Sequence, residues 1–183
     1  QGVRKLKGCK HKILPDMVEI GSWIGLAAMT QSQIRIKNAS IKSLGTILNV
    51  FRKMGIKLNV ENDDIIVKKQ KTYKIDTFIN GSILTISDAP WPGFTPDLLS
   101  IILVTATQGN GNILIHQKMF ESRLFFVDKL IEMGAKIILC DPHRASITGI
   151  NREYALRGTI MTSPDIRAGI SLLIAALSAK GES

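Results

Sequence analysis

The sequence predicts an α/β fold made of repeated helix-strand-helix-strand-strand units, and three observations carry that prediction. First, a Pro-Asp pair heads an apolar helix three times: LPDMVEIGSWIGLAAMT from Leu14, TPDLLSIILVTATQGNG from Thr95 and SPDIRAGISLLIAALSAKG from Ser163. The aspartates are Asp16, Asp97 and Asp165, the second interval somewhat shorter than the first. Second, KMGIKLNV from Lys53 returns as EMGAKIIL from Glu132, and Met54 and Met133 are separated by nearly the same interval as Asp16 and Asp97. Third, strand-like and helix-like patterns alternate between these landmarks, which argues for crossover connections. Two features recurring in order at nearly one period mark a duplicated supersecondary unit.

The first unit, about residues 13–75, opens with a helix over Asp16–Met29. Asp16 and Glu19 read as a capping-box-like start, and Ile20, Trp23, Ile24 and Ala27 give the apolar stripe. A strand follows near Ile34–Lys37. A second helix is expected over Ile41–Met54, capped by Ser40 and stopped by Gly55, with Leu44, Ile47, Leu48 and Phe51 inward. Strands near Lys57–Val60 and Asp64–Lys68 close the unit. The second unit, about residues 82–150, repeats the order. It has a lead-in strand at Ser82–Ser87, a helix over Asp97–Thr107 and a strand at Ile113–His116. A helix over Ser122–Met133 follows, stopped by Gly134, then strands at Lys136–Cys140 and Ala145–Thr148. The third unit, about residues 156–183, offers one helix, Asp165–Ser178, and is expected to be truncated within the repeat.

Composition narrows the function classes. The chain has 183 residues, 45% of them hydrophobic and 5% aromatic, which suits one domain with a substantial core. No apolar run reaches the ~18 residues of a membrane span, so no membrane partner is expected. Net charge is +9, concentrated at Arg4, Lys5, Lys7, Lys10 and Lys12 and at Lys68, Lys69, Lys71 and Lys74. Solvated faces account for these clusters best; attraction to a phosphorylated metabolite or a polyanion is the sharper alternative. A non-enzymatic RNA-binding module is thereby kept open, although the chain has no recognition motif and no nucleic-acid partner is expected. Cys9 and Cys140 fit no disulfide scaffold or zinc spacing, Cys140 reads as a buried strand thiol, and the three histidines are scattered. No metal and no cofactor is expected.

Three segments hold the residues suited to chemistry. In DAPWPGFTPD, Pro90, Pro92 and Pro96 stiffen the approach to Asp97. Asp97 reads either as a plain helix cap, like Asp16, or as a carboxylate delivered to a site by a rigid loop; on the repeat alone the cap is the better-supported reading. In FESR, Glu121 and Arg123 face a ligand or form a surface capping pair. In SPDIR, Asp165 and Arg167 share a helix's first turn, where free N–H groups attract anions. A cation is unfavourable there unless an anion binds beside it; an exposed Arg167–Asp165 pair is the plainer reading. A glycine-rich phosphate loop and a nucleophilic triad are both missing from the sequence.

Taken together, LPDMVEIGSWIGLAAMT, APWPGFTPD, FESRLFFVDKLIEMGA and SPDIRAGISLLIAAL resemble the UDP-N-acetylglucosamine enolpyruvyl transferases, and the resemblance covers essentially the whole chain. It implies an inside-out α/β barrel domain, helices inside and sheets outside, incomplete here and facing a second domain absent from this chain. It implies transfer of the enolpyruvyl group of phosphoenolpyruvate to the 3-hydroxyl of UDP-N-acetylglucosamine, with release of phosphate, as the first committed step of peptidoglycan synthesis in the bacterial cytoplasm. Shikimate 3-phosphate is the alternative acceptor within the wider fold. By resemblance Asp97 is the general base near the sugar hydroxyl and Asp165 a second acidic residue of the site. Met119 contacts the UDP-sugar through its backbone, Glu121 belongs to the same segment, and Arg123 and Arg167 meet the phosphoenolpyruvate anion. The family's usual Pro-Thr-Asp is Thr95-Pro96-Asp97 here. Its catalytic cysteine loop, N-terminal lysine and asparagine, and C-terminal arginine loop have no counterpart, so this chain alone is expected to be inactive.

Overall fold

A computed structural model describes residues 2–183. Its elements are α1 (Met17–Met29), β1 (Ile34–Ile36), α2 (Ile47–Lys53), β2 (Leu58–Glu61), β3 (Asp64–Val67) and β4 (Leu84–Ser87). They continue as α3 (Leu99–Ala106), β5 (Asn112–His116), α4 (Val127–Glu132), β6 (Lys136–Asp141), β7 (Arg144–Thr148) and α5 (Ile166–Ser178). Short 3-10 turns at Ile41–Ser43 and Pro96–Leu98 precede α2 and α3.

The repeat seen in the sequence is a repeat of sheet topology. One sheet has the order β1-β3-β2 and is antiparallel throughout. The other has the order β4-β5-β7-β6. Within it β5, β7 and β6 reproduce β1, β3 and β2, each beginning one sequence period after its counterpart. β4 is the addition, pairing parallel to β5 with Leu84 opposite Ile113. Strand alternation divides each sheet into a core face and a solvent face. Ile65, Val67, Ile113, Ile115, Ala145 and Ile147 turn inward, while Asn59, Glu61, Lys136 and Ile138 face water.

The helices α1, α3 and α5 pack on one another inside the two sheets. Every residue of α3 is buried, so apolar side chains surround this enclosed helix, and its two hydroxyls, Ser100 and Thr105, each donate to a backbone carbonyl. Its approach to α1 depends on Gly21 and Gly25. A Cβ on Gly21 would lie 2.5 Å from the Leu98 side chain, and one on Gly25 would lie 2.6 Å from Ile101 Cγ2. At its far end α1 is held by Arg152, whose guanidinium donates to the carbonyls of Met29, at 3.1 Å, and of Ala28. A cation suits the negative end of a helix, although burial pushes the Arg152 pKa below its ordinary value. Between α1 and α5 runs an apolar groove lined by Trp23, Leu26, Ile170, Leu173, Ile174 and Leu177. Trp23, Leu173 and Leu177 are about half exposed along it. No helix among the described residues is long and apolar enough to cross a membrane.

Several local expectations need correction. The second helix is shorter than Ile41–Met54: Gly45, at φ 52°, breaks the run into a 3-10 turn and α2, and Ser40 ahead of the run is itself left-handed at φ 51°. Ser40 therefore makes no side-chain cap. The helix over Ser122–Met133 forms only from Val127, after a turn that begins at Ser122 with φ 60°. Glu19 does not complete a capping box; Asp16 accepts from Val18 N at 2.7 Å while Glu19 accepts from Trp23 Nε1 at 3.4 Å. Trp23 flanks the groove instead of lying in the core. Cys140 is exposed, because Ile137 is the buried residue of β6 and Cys140, three positions on, faces the other way.

Candidate active site

The site is assembled from three helix starts and the turns that lead to them. β4 ends at Ser87, and the loop 88–95 carries the chain to the 3-10 turn Pro96–Leu98, which places Asp97 in the first turn ahead of α3. Thr95, not Asp97, occupies the position before that turn. Asp97 is thus released from the capping role that Asp16 and Asp165 perform, although all three sit in the same Pro-Asp pattern. Segment 117–126 leads from β5 to α4 and supplies Met119, Glu121 and Arg123. Asp165 is the N-cap of α5, accepting from the backbone N–H of Arg167 at 2.8 Å and of Ala168 at 3.1 Å.

These elements bring Asp97, Arg123, Asp165 and Arg167 together. Arg123 Nη1 donates to Asp97 Oδ1 at 2.9 Å, and Arg167 Nη1 reaches the same oxygen at 3.4 Å. Arg167 Nε lies 3.4 Å from Asp165 Oδ1, but that approach is not a well-directed hydrogen bond and the Nε proton has no partner in the described structure. The result is a row in which arginines and carboxylates alternate, with no net charge. Arg123 is the most enclosed member, its side chain 18% exposed against 36% for Asp97 and Arg167. Its guanidinium carbon lies 3.5 Å from the centre of the Phe120 ring, a cation–π contact. Ser100 Oγ donates to the Arg167 carbonyl at 3.3 Å, tying α3 to the first turn of α5. Pro96, Ser100, Gln117, Arg123, Leu124, Asp165 and Arg167 line one narrow slot. The apolar groove between α1 and α5 is larger but remote from this chemistry.

The Asp165 carboxyl is subject to opposing influences. Partial burial pushes its pKa up, but the N–H groups of Ala168 and Arg167 and the Arg167 charge hold the balance below the ordinary value. It is therefore a carboxylate at neutral pH.

Met119 and Glu121 stand apart from the charged row. Both are exposed, Met119 at 42%, and Glu121 forms no hydrogen bond or ion pair among the described residues. Four residues that matter to the geometry were missed by sequence reasoning: Asp88, Ser100, Gln117 and Phe120. Asp88 is 1% exposed. It accepts from Lys118 N at 2.5 Å, from Met119 N at 3.2 Å and from Gln117 Nε2 at 3.2 Å. It opens DAPWPGFTPD, but its partners lie 29 to 31 residues along the chain, beyond any local pattern. Phe120 stood within the FESR segment, and an aromatic three residues before an arginine was the available signal.

The described structure is thus a domain of helices enclosed by repeated sheets, with a row of acids and arginines at the helix starts. The chain belongs to the EPSP synthase (3-phosphoshikimate 1-carboxyvinyltransferase) family, whose profile matches residues 1–183. It is 65% identical over 183 residues to a UDP-N-acetylglucosamine 1-carboxyvinyltransferase of Bacteroides thetaiotaomicron, a match covering 100% of this chain and 42% of that protein. It is 62% identical, with the same coverage, to the protein of that name from Porphyromonas gingivalis. The chain spans 42% of the length of these curated relatives. Among solved structures, the enolpyruvyl transferase NikO from Streptomyces tendae superposes with a TM-score of 0.75 at 20% identity, over 91% of this chain and 37% of that one. EPSP synthase from Acinetobacter baumannii gives 0.59 at 15% identity, over 93% and 39%. These two likenesses establish the fold.

Proposed function

We propose that the full-length protein carrying this chain transfers the enolpyruvyl group of phosphoenolpyruvate to the 3-hydroxyl of UDP-N-acetylglucosamine, releasing phosphate, in the cytoplasm and toward peptidoglycan. The observation that carries this reading is the identity of 65% along the entire chain to a protein named for that reaction. The row of Asp97, Arg123, Asp165 and Arg167 supports it.

The reaction needs a hydroxyl oriented and relieved of its proton as its oxygen bonds to the phosphate-bearing carbon and the neighbouring carbon gains a proton; phosphate then leaves as that carbon gives a proton up and the double bond is restored. It also needs a doubly anionic phosphate held in place. In this reading Asp97 orients the sugar hydroxyl and accepts its proton. Holding that hydroxyl in line with the enol carbon is much of its contribution. Arg123 and Arg167 bind the phosphoenolpyruvate oxygens, for which a planar guanidinium fork is well matched. In the described structure both arginines are engaged by Asp97, so an incoming anion competes with that carboxylate for them. Asp165 holds the first turn of α5 and with it Arg167. Met119 meets the sugar nucleotide through its main chain, and Glu121 lies beside it at the solvent margin. Residues of a second domain, outside this chain, complete the site.

The test is phosphate release from phosphoenolpyruvate by the full-length protein, with UDP-N-acetylglucosamine, with shikimate 3-phosphate, or with neither acceptor. Release that depends on the sugar nucleotide alone is the expected result. Release with shikimate 3-phosphate instead would reassign the acceptor, and release with neither acceptor would remove the reading.

A further inference from the structure

We infer that Asp88 is a positioning residue for the sugar-nucleotide side of this site, acting through the main chain of Met119; the inference rests on the transferase reading above. Segment 117–122 belongs to no helix or strand, and Met119 and Phe120 are exposed at 42% and 40%. Such a segment has no ladder of its own to fix its backbone. Two anchors replace the ladder. Gln117 N donates to the His143 carbonyl at 2.7 Å, and Asp88 takes the next two N–H groups, Lys118 on Oδ1 and Met119 on Oδ2.

The choice of residue is informative. Asp88 is buried, yet none of its donors is charged: two are backbone N–H groups and one is the Gln117 amide. A dry carboxylate without a cation is costly unless its oxygens are well supplied with donors. An asparagine of the same shape accepts on one side only and presents an NH2 group on the other. The carboxylate therefore answers a specific demand, two consecutive N–H groups pointing at one side chain. Asp88 also begins the loop that delivers Asp97, a loop closed on itself by Ala89 N donating to the Phe94 carbonyl at 3.0 Å. One buried carboxylate thus ties the arm bearing Asp97 to the arm bearing Met119 and Arg123. Gln117, which it also engages, lines the slot beside Arg123 and Arg167.

The experiment compares Asp88→Asn with the unaltered full-length protein in two measurements. Hydrogen exchange over Lys118–Met119 reads the positioning directly and needs no turnover. Steady-state kinetics with each substrate varied reads its consequence. In Asp88→Asn one backbone donor faces an NH2 group, and the expected result is faster exchange at that segment. The KM for UDP-N-acetylglucosamine is expected to rise by about tenfold or more, with the KM for phosphoenolpyruvate and kcat changed far less. Unchanged exchange overturns the inference, as does faster exchange with unaltered kinetics. A parallel loss in kcat and both KM values also overturns it, since that pattern marks a general structural role. Should Asp88→Asn not fold, Asp88→Ser, smaller and with a single acceptor oxygen, is read by the same two measurements. If the unaltered protein transfers no enolpyruvyl group, the proposed function fails; slow, Asp88-dependent exchange at Lys118–Met119 would still support the clamp, and fast exchange would overturn it.

Discussion

Asp97 and Asp165 occupy the same sequence pattern and do different things. Asp165 spends its Oδ1 on two backbone N–H groups at the head of α5. Asp97, displaced into a 3-10 turn behind Thr95, spends its Oδ1 on two arginines. On the proposed function, Asp97→Asn is accordingly expected to lower kcat by ~10² in the full-length protein. The KM for phosphoenolpyruvate should not rise, because the substitution frees Arg123 and Arg167; initial-rate kinetics checks both. Asp165→Ala should cost about 1 kcal/mol of stability through the lost cap. Because its folded pKa is depressed, that contribution is full at neutral pH and is lost as pH falls below about 4, through the folded value. Urea denaturation of both proteins at about pH 7 and about pH 3 should therefore show the gap narrowing in acid. At this scale the sequence made the acids and arginines legible and their partners illegible. Arg123 and Asp97 are 26 residues apart, and Arg167 and Asp97 are 70; only the fold brings them together. The exposure of Cys140 is hidden for a simpler reason: an apolar run on an edge strand does not say which side of the pleat each residue takes.

The helices and strands were legible to the extent that one local signal determined them. α1 and α5 begin where Asp16 and Asp165 cap them. The α2 and α4 regions are shorter than their apolar patterns suggest: Gly45 breaks the first at positive φ, a signal that glycine itself carries, and Ser122 turns ahead of the second at φ 60°, which its residue type does not announce. The same limit hides the seam between α1 and α3. Gly21 and Gly25 look like weak points in a helix, yet they are where α3 comes closest. Gly25→Ala sets a helix-propensity gain of ~1 kcal/mol against overpacking of ~1–3 kcal/mol. The obstructing atom, Ile101 Cγ2, belongs to a stiff β-branched side chain, so a net loss of stability is expected. Gly21→Ala meets the ends of the more adaptable Leu98 side chain and should be the milder change. Chemical denaturation of the two variants side by side tests that order.

Across the whole molecule, the period that separates Met54 from Met133 in the sequence reappears as a sheet order repeated strand for strand. That period made the fold class readable, since neither composition nor charge distinguishes it from other α/β architectures. The groove between α1 and α5 has a consequence for handling the protein. Trp23, Leu173 and Leu177 present a continuous oily strip to water, which favours self-association, while a net charge of +9 opposes it by mutual repulsion. The colloidal behaviour of the 183-residue chain should therefore follow ionic strength. In dilute buffer it stays dispersed and lights up an anilinonaphthalene dye through the strip. As added salt screens the repulsion, light scattering should rise and the dye signal fall. Leu173→Glu, which puts a charge in the middle of the strip, should abolish both responses.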